Sequence, residues 1–116
     1  MKSQSCKQKG RKLQQTVKKI ILENFKDLEE DDVRSTSMGA SGLDVLLSPK
    51  AQLYFPFATE CKNQQSISIW QALKQAESNS TEKLKPLLIF KRNHSKIYAC
   101  LELKDLMELV TKITRN

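Results

Sequence analysis

Three charged residues interrupt apolar segments of this sequence. Asp44 follows Gly42-Leu43 and opens the run Val45-Leu46-Leu47, while Glu60 and Lys62 flank Cys61 in Phe57-Ala58-Thr59-Glu60-Cys61-Lys62. If both runs are strands, alternation puts Glu60 and Lys62 on one face and Cys61 on the other. Asp44, beginning a neighbouring strand, then falls within a few ångströms of Glu60. Two carboxylates sharing a small site repel each other unless a cation compensates. Mg²⁺, with Mn²⁺ as a substitute, takes such oxygen ligands and retains waters. The backbone carbonyl of Cys61 would add a third oxygen. Lys62 is placed to orient a water and to offset charge gathering on a phosphate. The chemistry described is metal-assisted phosphodiester hydrolysis. A plain Glu60–Lys62 ion pair on a half-exposed strand is the alternative. The Cys61 thiol reads as a core group, because no general base is near it in sequence.

The elements that must hold these groups can be read from periodicity. Residues 1–10 are polar and basic without a period, which predicts a flexible arm ahead of one domain over 11–116. From Arg11, the positions Leu13, Val17, Ile20, Ile21, Phe25 and Leu28 recur at helical spacing. The acidic block 29–32 ends that helix, and Val33–Ser37 is a short extended piece. Residues 38–42 form a turn with two glycines, and Leu43–Leu47 is a strand. Pro49–Tyr54 reads as one helical turn with proline at its start. Phe57–Lys62 is the second strand of the pair. Ser66 is a candidate N-cap for a helix over 67–76, with Trp70 as a core anchor. Pro86–Phe90 and Ile97–Leu103 make a β-hairpin, and Lys104–Ile113 closes as a helix. The order is α-β-β-β-α-β-β-α, with no internal repeat.

Asp, a gap of 15 residues, then Glu-x-Lys resembles the signature of the PD-(D/E)XK nucleases: Gly42-Leu43-Asp44 followed by Glu60-Cys61-Lys62, with Leu43 in place of the proline before the aspartate. More locally, VRSTSMGASGLDVLLSP, FPFATECKN and SIWQALKQAE resemble small phage-type, Holliday-junction-resolvase-like endonucleases, over about Lys9 to Val110. The resemblance implies an α/β, restriction-endonuclease-like αβββαβ core with a mixed central sheet flanked by helices. It implies Asp44 and Glu60 as metal ligands with Cys61 through its carbonyl, Lys62 as the water-positioning residue, and a homodimer acting on branched DNA. The same fold and site also serve nicking, homing and other DNA nucleases. Such relatives carry a glutamate or glutamine on the first helix as a further ligand, which falls here on Gln14 or Gln15. On the helix after Lys62, Gln71 and Gln75 share a face, and Gln75 is the one carried toward the active site.

Charge supports a polyanionic partner. The net charge is +7, and Lys2, Lys7, Lys9, Arg11, Lys12, Lys18 and Lys19 all precede the first acid, Glu23. Candidate phosphate contacts are Lys9, Arg11, Lys12, Ser37, Ser41 and Asn63, with Lys91, Arg92 and Lys96 at the hairpin tip. Ser35, with Ser37 and Ser41, precedes Asp44 and could donate to a scissile phosphate, with turn and edge-strand chemistry as the alternative for each. His94 reads as a surface histidine of the hairpin turn. Three unspaced cysteines, Cys6, Cys61 and Cys100, predict reduced thiols. With no signal-like h-region, they predict a cytoplasmic chain, in a host cell if phage-encoded. No apolar run approaches the ~18 residues of a membrane span, and no small-molecule cofactor is expected. A non-catalytic nucleic-acid-binding protein would share the charge. It leaves Asp44 and Glu60 unexplained, since both would repel the phosphates they approach.

Overall fold

A computed structural model describes residues 2–36 and 44–115, with side chains over 7–36 and 44–114. The expectations for Ser37, Ser41 and the turn at 38–42 lie outside the described residues. The chain runs α1 (Lys2–Asn24), a 3₁₀ turn (Glu30–Asp32), β1 (Val33–Ser35), β2 (Val45–Leu47), α2 (Pro49–Tyr54), β3 (Phe57–Asn63), α3 (Ile69–Ser78), β4 (Lys85–Lys91), β5 (Tyr98–Cys100) and α4 (Leu103–Arg115). β1 and β2 form an antiparallel ribbon, and β3-β4-β5 form a mixed sheet in which β3 and β4 are parallel. The parallel pair is joined by the crossover helix α3, as parallel pairing requires. This is the mixed α/β arrangement anticipated, a sheet flanked by helices and compatible with a restriction-endonuclease-like core.

α1 buries Leu13, Val17 and Ile21, at the spacing of one helical stripe, against Phe57 and Cys61 of β3, Leu87 and Ile89 of β4, and Val33 and Val45 of the ribbon. It begins at Lys2 rather than after residue 10. Lysine and glutamine are good helix formers, and a helix already anchored by packing extends through them without an apolar period. It ends at Asn24, four residues before the last apolar position, Leu28. On the opposite sheet face, α3 lies close through the small residues Ala72 and Ala76. Trp70, two positions from Ala72, therefore points away and is 83 % exposed, not a core anchor.

α3 starts at Ile69, after Ser68. The expected start near Ser66 is displaced because the preceding loop is tied to the hairpin: the Gln64 N–H donates to the Lys91 carbonyl at 3.1 Å and the Asn93 N–H to Gln65 Oε1 at 2.7 Å. His94 occupies that hairpin tip with φ of 63°. α2 is capped by Ser48, whose Oγ accepts the Ala51 N–H at 3.1 Å and donates to Asp32 Oδ1 at 2.7 Å. α4 is held to β4 by Lys85, which reaches the buried Asp105 at 3.7 Å and the exposed Glu108 at 3.8 Å. Its Leu103, Leu106, Met107, Val110 and Ile113 remain on the surface. Among the described residues no helix is long and apolar enough to cross a membrane.

Candidate active site

Asp44 is the joint between the ribbon and the sheet. Its carbonyl accepts the Thr36 N–H at 3.1 Å on the β1 side, and its own N–H donates to the Thr59 carbonyl at 3.3 Å on the β3 side. Its carboxylate takes the next ladder position: Oδ2 accepts the Cys61 N–H at 2.7 Å. In an extended strand the N–H and C=O of one residue point to the same edge. The Cys61 carbonyl therefore faces the edge on which the Asp44 carboxylate lies.

Glu60 and Lys62 leave the same face of β3, opposite to Cys61, as strand alternation demands. Lys62 Nζ lies 3.4 Å from Glu60 Oε2, with the glutamate buried and the lysine partly so. Burial pushes the Glu60 carboxyl up, the nearby charge of Asp44 pushes it further, and Lys62 pulls it back. Burial likewise raises Asp44, against the lowering effects of the Cys61 N–H and of Lys62. A desolvated glutamate that a neighbouring aspartate makes costlier still to ionise suits a cation. Among the described residues no three His, Cys, Asp or Glu side chains converge, so oxygen ligation rests on two carboxylates and main chain.

The thiol of Cys61 belongs to the core cluster under α1. Burial, and then the charges of Asp44 and Glu60, push its pKa far above the ordinary thiol range, so it is no nucleophile at neutral pH. Cys100 is also a free thiol.

Of the two first-helix glutamines, Gln15 is exposed, whereas Gln14 is 3 % exposed and its Oε1 has no hydrogen-bond partner. Asn63 Nδ2 donates to the Lys9 carbonyl at 3.2 Å and so sets the level of α1 against β3. Five residues further, about 7.5 Å along the helix, Gln14 stands about two strand residues back from Asn63, at the level of Cys61. Gln14 thus carries an orphaned buried oxygen on the α1 side of β3, opposite to the face that Glu60 leaves, and a neutral oxygen of this kind suits a hard divalent cation.

The candidate phosphate contacts separate into groups. Lys12, Asn63, Lys91 and Lys96 line one open cleft between α1 and the hairpin. Arg92 borders a second cavity on the α3 side. Arg11 is exposed on α1, and Lys9 enters through its carbonyl. Gln75 is exposed, and its backbone carbonyl accepts from Ser78 and Asn79. No hydrogen bond among the described residues joins it to Glu60 or Lys62. Gln71, its neighbour one turn back, is exposed as well.

Comparison with known proteins gives one family. The family model described as Phage putative PDDEXK endonuclease matches residues 5–116. No curated protein and no solved structure matches the chain.

Proposed function

Because the chain belongs to the phage PDDEXK endonuclease family, we propose that it is a Mg²⁺-dependent endodeoxyribonuclease acting on branched DNA. The observation that carries the reading is the junction of Asp44, Glu60 and the Cys61 main chain at one strand edge, with Lys62 3.4 Å from Glu60. Asp44, Glu60 and the Cys61 carbonyl would hold the cation, with Gln14 as the further oxygen. A bound divalent ion supplies charge neutralisation at the scissile phosphate and an acidified water. Lys62 holds a water in line with the phosphorus and opposes charge as it develops on the phosphate. Lys12, Lys91 and Lys96 grip the flanking backbone, which makes affinity steeply salt-dependent, with a log–log slope of about −0.9 per phosphate contact.

Two observations support the finer points. The cleft is dominated by lysines, Lys12, Lys91 and Lys96, which suit phosphate contacts and so favour shape over sequence. The surface stripe of α4, Leu103, Leu106, Met107, Val110 and Ile113, fits a second copy of the chain in a two-fold pairing. Its exposed area is roughly 500 Å² per copy, so a pair buries on the order of 1,000 Å², the floor for a specific interface. The test is incubation of the protein with Mg²⁺, Mn²⁺ or EDTA against matched four-way junction, flap, nicked and linear duplexes. Cation-dependent cutting of the branched substrates is expected. No cutting of any DNA with either cation would overturn the reading.

A further inference from the structure

At the carboxyl ends of the parallel strands β3 and β4 lies an open cavity of about 270 Å³. It is bounded by the loop after β3, the first turn of α3 and the β4–β5 hairpin, on the sheet face that carries Glu60 and Lys62. Crevices at this end of parallel strands are where α/β sheets take ligands. Ile67, Ile69 and Phe90 line it with apolar surface, and Tyr98 forms a wall, its ring centroid 6.1 Å from that of Phe90. Lys91 and Arg92 stand at the rim.

Strand register fixes how far the cavity is from the acids. Lys62 pairs with Phe90 and Phe90 with Tyr98, so the three side chains leave the same face in a row. Neighbouring strands are about 4.8 Å apart, which starts the two rings roughly 5 and 10 Å from the Lys62 backbone. A nucleotide adjoining a phosphate held at Lys62 reaches that far.

We propose that this cavity is a subsite for one unstacked nucleobase beside the cut. The base lies against Phe90 and Tyr98, while Arg92 takes the phosphate that follows. The volume is just below the roughly 300–1,000 Å³ of sites for drug-sized ligands and admits a single ring system. Its rim charge is cationic, which matches a nucleotide. Stacking on aromatic rings is tolerant of base identity, so the subsite selects an unpaired nucleotide rather than a sequence. Paired bases in an intact duplex remain stacked and cannot enter it. The preferred substrate is therefore DNA with an unpaired nucleotide at the cut: a flap, a gap or an open branch point. This assignment rests on the nuclease reading for its neighbour, but its binding is measurable without cleavage.

Tyr98 is more than half exposed on the edge strand β5, so replacing it removes a wall without hollowing the core. The experiment measures binding in EDTA of a flap duplex and a matched linear duplex, each carrying 2-aminopurine at the junction position. The native chain should quench the probe in the flap and bind the flap more tightly. Tyr98→Ala should weaken flap binding about tenfold, remove the quenching and leave the linear duplex unchanged, while Tyr98→Phe keeps the native behaviour. Unchanged flap binding in Tyr98→Ala, or equal loss on both DNAs, would overturn the subsite. Failure of the nuclease reading looks different: no product with Mg²⁺ or Mn²⁺ while the Tyr98 effect persists.

Discussion

Lys62 Nζ lies 3.4 Å from Glu60 Oε2, two residues back on the same face of β3, and the glutamate is the more deeply buried of the two. The lysine therefore offsets a buried carboxylate, and in the proposed reaction it would meet the phosphate as well.

Lys62→Ala leaves Glu60 uncompensated. Removing one partner of a fully buried pair costs about 3–5 kcal/mol. Partial solvation of this one reduces the expected loss to about 1–2 kcal/mol. Denaturant unfolding checks that figure, and cleavage with Mg²⁺ should fall at least a hundredfold. Wild-type cleavage by this variant would remove Lys62 from the mechanism.

Asp44→Asn keeps an oxygen that accepts the Cys61 N–H but deletes the charge that pushes Glu60 up. Cleavage should vanish, whereas DNA binding in EDTA should stay within a few-fold. Metal-free stability should rise on the order of 1 kcal/mol, as when a strained functional charge is removed. A large drop in melting temperature would show that the carboxylate serves the fold.

Both acids have folded pKa values raised above the ordinary 3.8 and 4.5 by desolvation. The folded state thus holds these protons more tightly than the unfolded chain. Their contribution to stability is complete below about pH 4 and is lost as pH climbs through the raised values. Urea midpoints in EDTA, native minus Asp44→Asn/Glu60→Gln, should decline over that window. Subtraction cancels Asp32, whose pKa is lowered by the Glu29 N–H and Ser48 and whose contribution has the opposite sign. A flat difference would mean that neither acid is desolvated.

Gln14→Leu removes a buried oxygen with no partner. Metal-free stability should rise by about 1 kcal/mol, while Mn²⁺ affinity by calorimetry should fall about tenfold. Unchanged affinity would confine Gln14 to packing.

Val110→Glu puts a charge in the middle of the α4 stripe. Sedimentation should show a dimer for the native chain and a monomer for the variant. Identical sedimentation would move any interface elsewhere.

How much of this was legible in the sequence follows from what each feature depends on. The stripe Leu13, Val17, Ile21 and the shared face of Glu60 and Lys62 need only the periods 3.6 and 2, so one chain segment sufficed. The Asp44–Cys61 contact needs the offset between two segments 17 residues apart, which spacing suggests but does not set. Gln14 is buried by its place at the helix–sheet contact, against the usual habit of glutamine. Trp70 misled because α3 approaches the sheet through alanines, leaving the larger ring outside. The cavity beside Phe90 was invisible, since its walls come from a loop, a helix start and both hairpin strands.

Cys61 gives the site its amide and carbonyl and gives the core its sulfur. Main-chain groups are common to every residue, so the middle letter of Glu-x-Lys is free to drift among small apolar side chains at no chemical cost. Among the described residues the sulfur nearest the centre, that of Cys61, faces away from it, so the proposed hydrolysis would not depend on a free thiol there.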